Sequence, residues 1–236
     1  MKINFPLLAL AVGAFAIGTT EFSPMGFLPE IANDLSVSIP QAGLLISAYA
    51  VGVMIGAPLM TLWLARFPKK TALILLMAIF TIGNVLATVA PDYMSLMGAR
   101  LITSLNHGAF FGLGSVVAAS VVPKDKQASA VAMMFMGLTI ANIGGVPLAT
   151  WLSQNTSWRM AFAAISILGI MTMLALWKAL SQDHDVVKPN VAKELRVLTR
   201  APVVLALLTT VMSAGAMFAL YTYIAPSLHV FMQASP

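Results

Sequence analysis

Seven stretches of this chain are long, apolar and nearly free of charge, and that feature fixes its class before any other is considered. They cover residues 5–28, 41–65, 71–90, 94–122, 127–153, 160–177 and 202–225, and the charged side chains within them are Glu21 and Arg100. A helix needs about 20 apolar residues to cross a bilayer core. Strands of a membrane barrel would instead appear as stretches of about 10 residues with alternating polarity, and these windows do not alternate. Of the 236 residues only 9% are charged, whereas a soluble domain is roughly one quarter charged. The chain therefore reads as an all-α membrane protein.

The formal charge of +5 would suit a nucleic-acid partner if the basic residues formed one patch, but they alternate with the spans. Lys2, then Arg66, Lys69 and Lys70, then Lys124 and Lys126, then Lys178, Lys188, Lys193, Arg196 and Arg200 all fall on one side. The opposite connections hold Glu30, Asp34 and Asp92, with Arg159 their one base. Basic connections stay in the cytoplasm, so the expectation is a cytoplasmic N-terminus and, after seven crossings, a C-terminus on the far side, with no nucleic-acid role. Lys2 followed by 5–17 could begin a signal peptide, but the apolar stretch outruns the 7–15 residues of such a segment and is read as a retained helix. There is no cysteine, and His107, His184 and His229 are widely separated, so no metal or other cofactor is expected.

Three parts are expected along the chain: a six-helix bundle over 1–180, a cytoplasmic linker over 181–201, and a seventh helix with an outer tail over 202–236. Within the linker, Val191, Leu195 and Leu198 recur at helical spacing opposite Lys193, Arg196 and Arg200. That pattern fits an amphipathic helix on the membrane surface and equally a solvated charged linker; either places a boundary here.

A charge at the centre of a membrane helix costs on the order of 2.5–3.5 kcal/mol on insertion scales, so one that is kept usually faces a polar cavity or a partner. At 1.5 Å per residue, Glu21 and Arg100 each lie about 10 Å from the same end of their spans, a similar depth that permits an ion pair. The alternative is that the first span is drawn too long and Glu21 is interfacial. Pro24 cannot bond the carbonyl of Thr20 and loosens the helix beside the acid. Arg100, Thr103, Ser104 and His107 fall at i, i+3, i+4 and i+7, one polar stripe of a helix. His107 on that stripe suits either a hydrogen-bonded structural role or proton transfer, and Asn106 points off it. Small residues four apart, Gly52 with Gly56 and Gly108 with Gly112, allow close backbone approach. Gly137, Gly144, Gly145 and Pro147 should notch and bend the fifth helix. No serine-nucleophile or paired-aspartate pattern accompanies these residues, so the chain is not expected to be an enzyme.

The stretches "GTTEFSPMGFLPEIANDL", "ISAYAVGVMIGAPLM", "RLITSLNHGAFFGLGS", "ANIGGVPLATWL" and "SWRMAF" together resemble the major facilitator superfamily, specifically its twelve-helix drug/proton antiporter family and the arabinose-efflux-permease-like group. The resemblance implies a six-helix N-terminal bundle of two inverted three-helix repeats plus one further transmembrane helix, in a bacterial inner membrane. Arg100 matches the family's helix-four arginine, implying a place near proton transfer. Gly137 to Pro147 is similar to the helix-five antiporter motif but reads Gly144-Gly145-Val146-Pro147 without its usual terminal glycine pair. The loop between helices two and three keeps the basic residues Arg66, Lys69 and Lys70, whereas the expected acid is replaced by Ala65.

The resemblance implies a proton-coupled efflux antiporter of a small organic compound, with Glu21, Arg100, Thr103, Ser104 and His107 along the proton and substrate pathway and Thr19, Thr20 and Asn142 also lining the cavity. The expected partners are that substrate, protons, the lipid bilayer and a missing C-terminal half. Because the resemblance stops after helix seven, the chain is expected to be a truncated transporter, inactive alone. The rival reading is a non-transporting interaction protein, or a half-transporter acting as a dimer.

Overall fold

The computed structural model describes residues 4–181 and 199–232, so residues 190–198 of the expected amphipathic segment and the last residues of the outer tail lie outside the described residues. The chain divides into two units, residues 1–186 and 187–236. In the first, α1 is Phe5–Gly26, α2 Leu28–Asp34, α3 Ile39–Leu64, α4 Lys69–Thr88, α5 Tyr93–Ser104, α6 His107–Ser120, α7 Gln127–Ile140, α8 Val146–Asn155 and α9 Trp158–Ala179. The second contains α10, Ala201–Met232, which continues past the expected end at residue 225. Seven helical stretches among the described residues are long and apolar enough to cross a membrane, α5 with α6 making the fourth and Lys124–Asn155 the fifth.

Local chemistry sets where these helices begin. Asn4 accepts the Leu7 N–H and starts α1. Ser38 and Gln41 form a reciprocal capping box at α3, Asp92 accepts the Ser95 N–H at α5, and Ser157 accepts the Met160 N–H at α9. Each such cap satisfies one of the amides that a helix start leaves unbonded. The connection between α1 and α3 holds α2 and then Ser36 with φ of 52°, a left-handed residue that turns the chain into the cap.

The packing within the first unit has an internal symmetry. The third and sixth spans, α4 and α9, pack on each other; the first packs on the fifth and the sixth, and the fourth packs in the same way on the second and the third. Exchanging spans one to three with four to six therefore maps these pairings onto one another. Consecutive spans run antiparallel, so spans one and four point in opposite directions, and the relation is an inverted repeat.

Two of the spans are not regular. The fourth breaks between Ser104 and His107, where Leu105 and Asn106 bond only three residues back, to Ile102 and Thr103. The stripe expected along one unbroken helix is thus divided between α5 and α6. The fifth passes through a π-helical turn, Ala141–Gly145, in which the Val146 N–H reaches back to Ala141. Pro147 has no N–H for the Ile143 carbonyl and its ring would crowd that carbonyl, and the wider turn absorbs the conflict.

Candidate functional site

The site forms where α1, α3, α4 and α5 with α6 converge, and it starts from the proline in α1. Pro24 leaves the Thr20 carbonyl without its i+4 amide, and in hydrocarbon no water replaces it. Arg100 fills the gap: its Nη1 donates to the Thr20 carbonyl at 2.9 Å and lies 3.4 Å from Thr20 Oγ1. The Thr20 hydroxyl in turn donates to Asn84 Oδ1 at 2.7 Å, and Asn84 Nδ2 donates to the Phe80 carbonyl at 2.9 Å. Thr20, Asn84 and Arg100 are all buried.

The guanidinium also lies over the ring of Tyr49, 4.2 Å from its centroid, a cation–π contact worth about 2 kcal/mol when desolvated. Among the described residues, Arg100 Nε and Nη2 have no hydrogen-bond partner. The ion pair that similar depth allowed between Arg100 and Glu21 is not formed. The Glu21 carboxylate faces His107 instead, Oε2 lying 3.8 Å from Nε2, with the two side chains 15% and 13% exposed. Nδ1 of His107 is 3.0 Å from the Tyr49 hydroxyl, and Phe111 packs beside the imidazole at 5.2 Å between centroids.

Thr103 and Ser104 are turned elsewhere. Thr103 donates to the Ala99 carbonyl and Ser104 to Leu101. Each fills the space above a glycine, Thr103 at Gly83 of α4 and Ser104 at Gly52 of α3, where an added Cβ would overlap its hydroxyl. The break after Ser104 swings His107 away from this packing row. Tyr49 and Asn84 belong to the cluster although periodicity did not select them; the sequence signal was a hydroxyl and an amide at mid-span depth, where each needs a partner.

In the fifth span Gly137 abuts the backbone of α1 at Ala11 and Phe15, and Gly145 abuts Thr19 and Phe15, whereas among the described residues nothing lies within 4 Å of where a Cβ on Gly144 would stand. Asn142 donates to the Leu138 carbonyl at 3.0 Å, within its own helix. These glycines bring α7 and the π turn against the helix that carries Glu21. Far from the cluster, Arg66 lies over Trp63 and Phe67 at 5.2 and 5.4 Å. Lys69 and Lys70 line a cleft with Ser120 and Ser181 at the basic end of the bundle. At the opposite end Asp34 Oδ2 accepts from Trp158 Nε1 at 3.0 Å and from Arg159 Nη1 at 2.5 Å, while Arg159 Nη2 donates to the Ala90 carbonyl at 3.0 Å. This fastens α2, the end of α4 and the start of α9 together. The two bonds hold the Asp34 carboxyl below the usual carboxylate range, the Arg159 bond having the larger effect.

A part-buried acid and imidazole beside a buried guanidinium, among transmembrane helices with an internal inverted repeat, is an arrangement found in membrane transporters. The sequence profile of the Major Facilitator Superfamily matches residues 10–235. The chain belongs to the Major Facilitator Superfamily. Within it, the chain is 66% identical over 236 residues to the inner membrane transport protein YdhP of Escherichia coli K12, covering 100% of this chain and 61% of that relative. It is 31% identical over 222 residues to a probable sugar efflux transporter of Pasteurella multocida, covering 93% of this chain and 54% of that protein. The fold is similar to the crystal structure of a bacterial homologue of the human lysosomal transporter Spinster, inward-facing and unoccupied. There the TM-score is 0.79 at 18% identity, over 98% of this chain and 56% of that one. The chain thus spans about three fifths of the YdhP relative's length. Superfamily membership accords with the expected fold and with a protein that is not an enzyme.

Proposed function

We propose that this chain forms the N-terminal part of a proton-coupled efflux transporter for a small organic compound in the bacterial inner membrane. The observation that carries the reading is the partly exposed Glu21–His107 pair, 3.8 Å apart at bilayer depth, beside a buried guanidinium. Glu21 is the group that takes up and releases the proton, because it is the acid of the cluster and its side chain is not fully buried. Arg100 holds α1 and α5 together through Thr20 and supplies the fixed positive charge near that acid. His107 lies between the carboxylate and Tyr49 and conveys the state of Glu21 to α3. Charge moved across the membrane yields about 2.3 kcal/mol per 100 mV, enough to drive substrate exchange as the cavity changes sides.

The direction of transport draws support from the name of the Pasteurella relative, a probable sugar efflux transporter, and the membrane from that of YdhP. The N-terminus is cytoplasmic by the distribution of basic residues. The cavity is completed by a C-terminal bundle, and without one the chain does not transport. The decisive experiment compares proton-gradient-driven efflux from vesicles containing a full-length version with that of Glu21→Gln. Loss of coupling is expected; unaltered coupling removes Glu21 from the mechanism.

A further inference from the structure

The hydrogen-bond inventory around Tyr49 determines more than proximity. Its hydroxyl sits on a side chain only 3% exposed, and among the described residues its partner is His107 Nδ1, at 3.0 Å. A neutral imidazole carries its hydrogen on one nitrogen and accepts at the other. If Nδ1 carried it, the phenol would have to accept, and the phenol hydrogen would be left buried without an acceptor. Such an orphan costs roughly 1–3 kcal/mol, which is on the order of a tenfold to hundredfold bias at 1.4 kcal/mol per decade. With the hydrogen on Nε2, the phenol donates to Nδ1, and Nε2–H is turned toward Glu21 Oε2, 3.8 Å away.

The rest of the surroundings agree. The charged and titratable groups about the ring are Glu21 on α1, Tyr49 on α3 and Arg100 on α5. Helices α4 and α9 carry charged side chains only near their ends, and α7 carries none. Arg100 has no acceptor atom to offer the phenol; it lies over the face of the Tyr49 ring, which fixes the ring plane and so the direction of the hydroxyl.

We infer that Tyr49 is a positioning residue: by donating to Nδ1 it holds the neutral imidazole of His107 with its hydrogen on Nε2, aimed at the carboxylate of Glu21. The functional meaning rests on the proposed proton-binding role of Glu21; the tautomer does not. A hydrogen on Nε2 is the one offered to Glu21 when it is ionised, and losing Tyr49 lets the ring adopt the form that offers a bare lone pair instead.

The test is nitrogen NMR of histidine-labelled chain 1–236 in lipid nanodiscs, with His107 among the three histidines assigned by His107→Asn. In the unsubstituted chain above the ring's titration, a single form with the hydrogen on Nε2 is expected; a dominant form with the hydrogen on Nδ1 overturns the inference even without a variant. Tyr49→Phe keeps the ring under Arg100 and removes only the hydroxyl, and the expected result is loss of the single-form signature. An unchanged tautomer in a folded Tyr49→Phe protein overturns the inference as well. In a full-length version, the same substitution is expected to displace the pH profile of efflux. If Glu21→Gln leaves coupling intact while the tautomer is as expected, the transport reading fails and the positioning role stands.

Discussion

The bond between Arg100 and the Thr20 carbonyl gives a prediction that separates helix repair from charge. Arg100→Met removes the donor and leaves that carbonyl orphaned in a buried position, since Thr20 is fully buried. An unsatisfied buried acceptor costs about 1–3 kcal/mol, and the lost contact with the Tyr49 face adds about 2 kcal/mol. Relief of the desolvation of the guanidinium offsets part of this, so a net loss of about 2–4 kcal/mol is expected. Pro24→Ala restores a backbone N–H at position 24, in helical geometry four residues beyond Thr20. In that background the carbonyl has its own amide, and removing Arg100 should cost about 1–3 kcal/mol less. Equilibrium unfolding of all four proteins in mixed micelles, followed by tryptophan fluorescence, measures the coupling directly. Effects that add to within about 0.5 kcal/mol would refute the claim that Arg100 replaces the amide that Pro24 lacks.

Other outcomes follow from the packing and from the tie at the acidic end. A Cβ at Gly83 would stand 2.7 Å from the Thr103 backbone nitrogen and 2.8 Å from its Cα, so Gly83→Ala should destabilise by about 1–3 kcal/mol; Gly112, with nothing within 4 Å, should tolerate alanine or gain up to about 1 kcal/mol, as thermal unfolding will show. Asp34 is ionised more readily in the folded chain than in the unfolded one, so its bonds to Arg159 and Trp158 stabilise above the unfolded carboxyl pKa of about 3.9 and that stability is lost as pH falls through the lower folded value. The pair is substantially exposed, so Asp34→Asn should cost about 0.5–1 kcal/mol at neutral pH, and the difference between the two melting curves should begin to shrink below about pH 3.9 and close below the lower folded value. Tyr49→Phe and Glu21→Gln, tested by tautomer and by coupling, probe the cluster itself.

How much of this was legible beforehand depends on whether a feature is local. Span positions, the alternation of basic and acidic ends and the disturbance at Gly144–Pro147 follow from composition and from proline's missing amide, which act within a few residues of chain. Glu21, Arg100 and His107 stood out for the same reason: a titratable group among apolar neighbours carries its own cost, visible without any fold. Even the freed Thr20 carbonyl could be read from Pro24 alone.

Partnerships could not be read in this way. Similar depth suggested Glu21 for Arg100, yet the guanidinium took the Thr20 carbonyl and the Tyr49 ring, and Glu21 met His107. Helical spacing set Thr103 and Ser104 in line with His107, but a break of two residues turned the hydroxyls onto Gly83 and Gly52. Depth and spacing are one-dimensional quantities; which helix stands beside which, and how far each is rotated, depends on small-residue contacts between segments tens of residues apart. The chain alone dictated which groups would need company inside a membrane, and the packing of the inverted repeat decided which company they found.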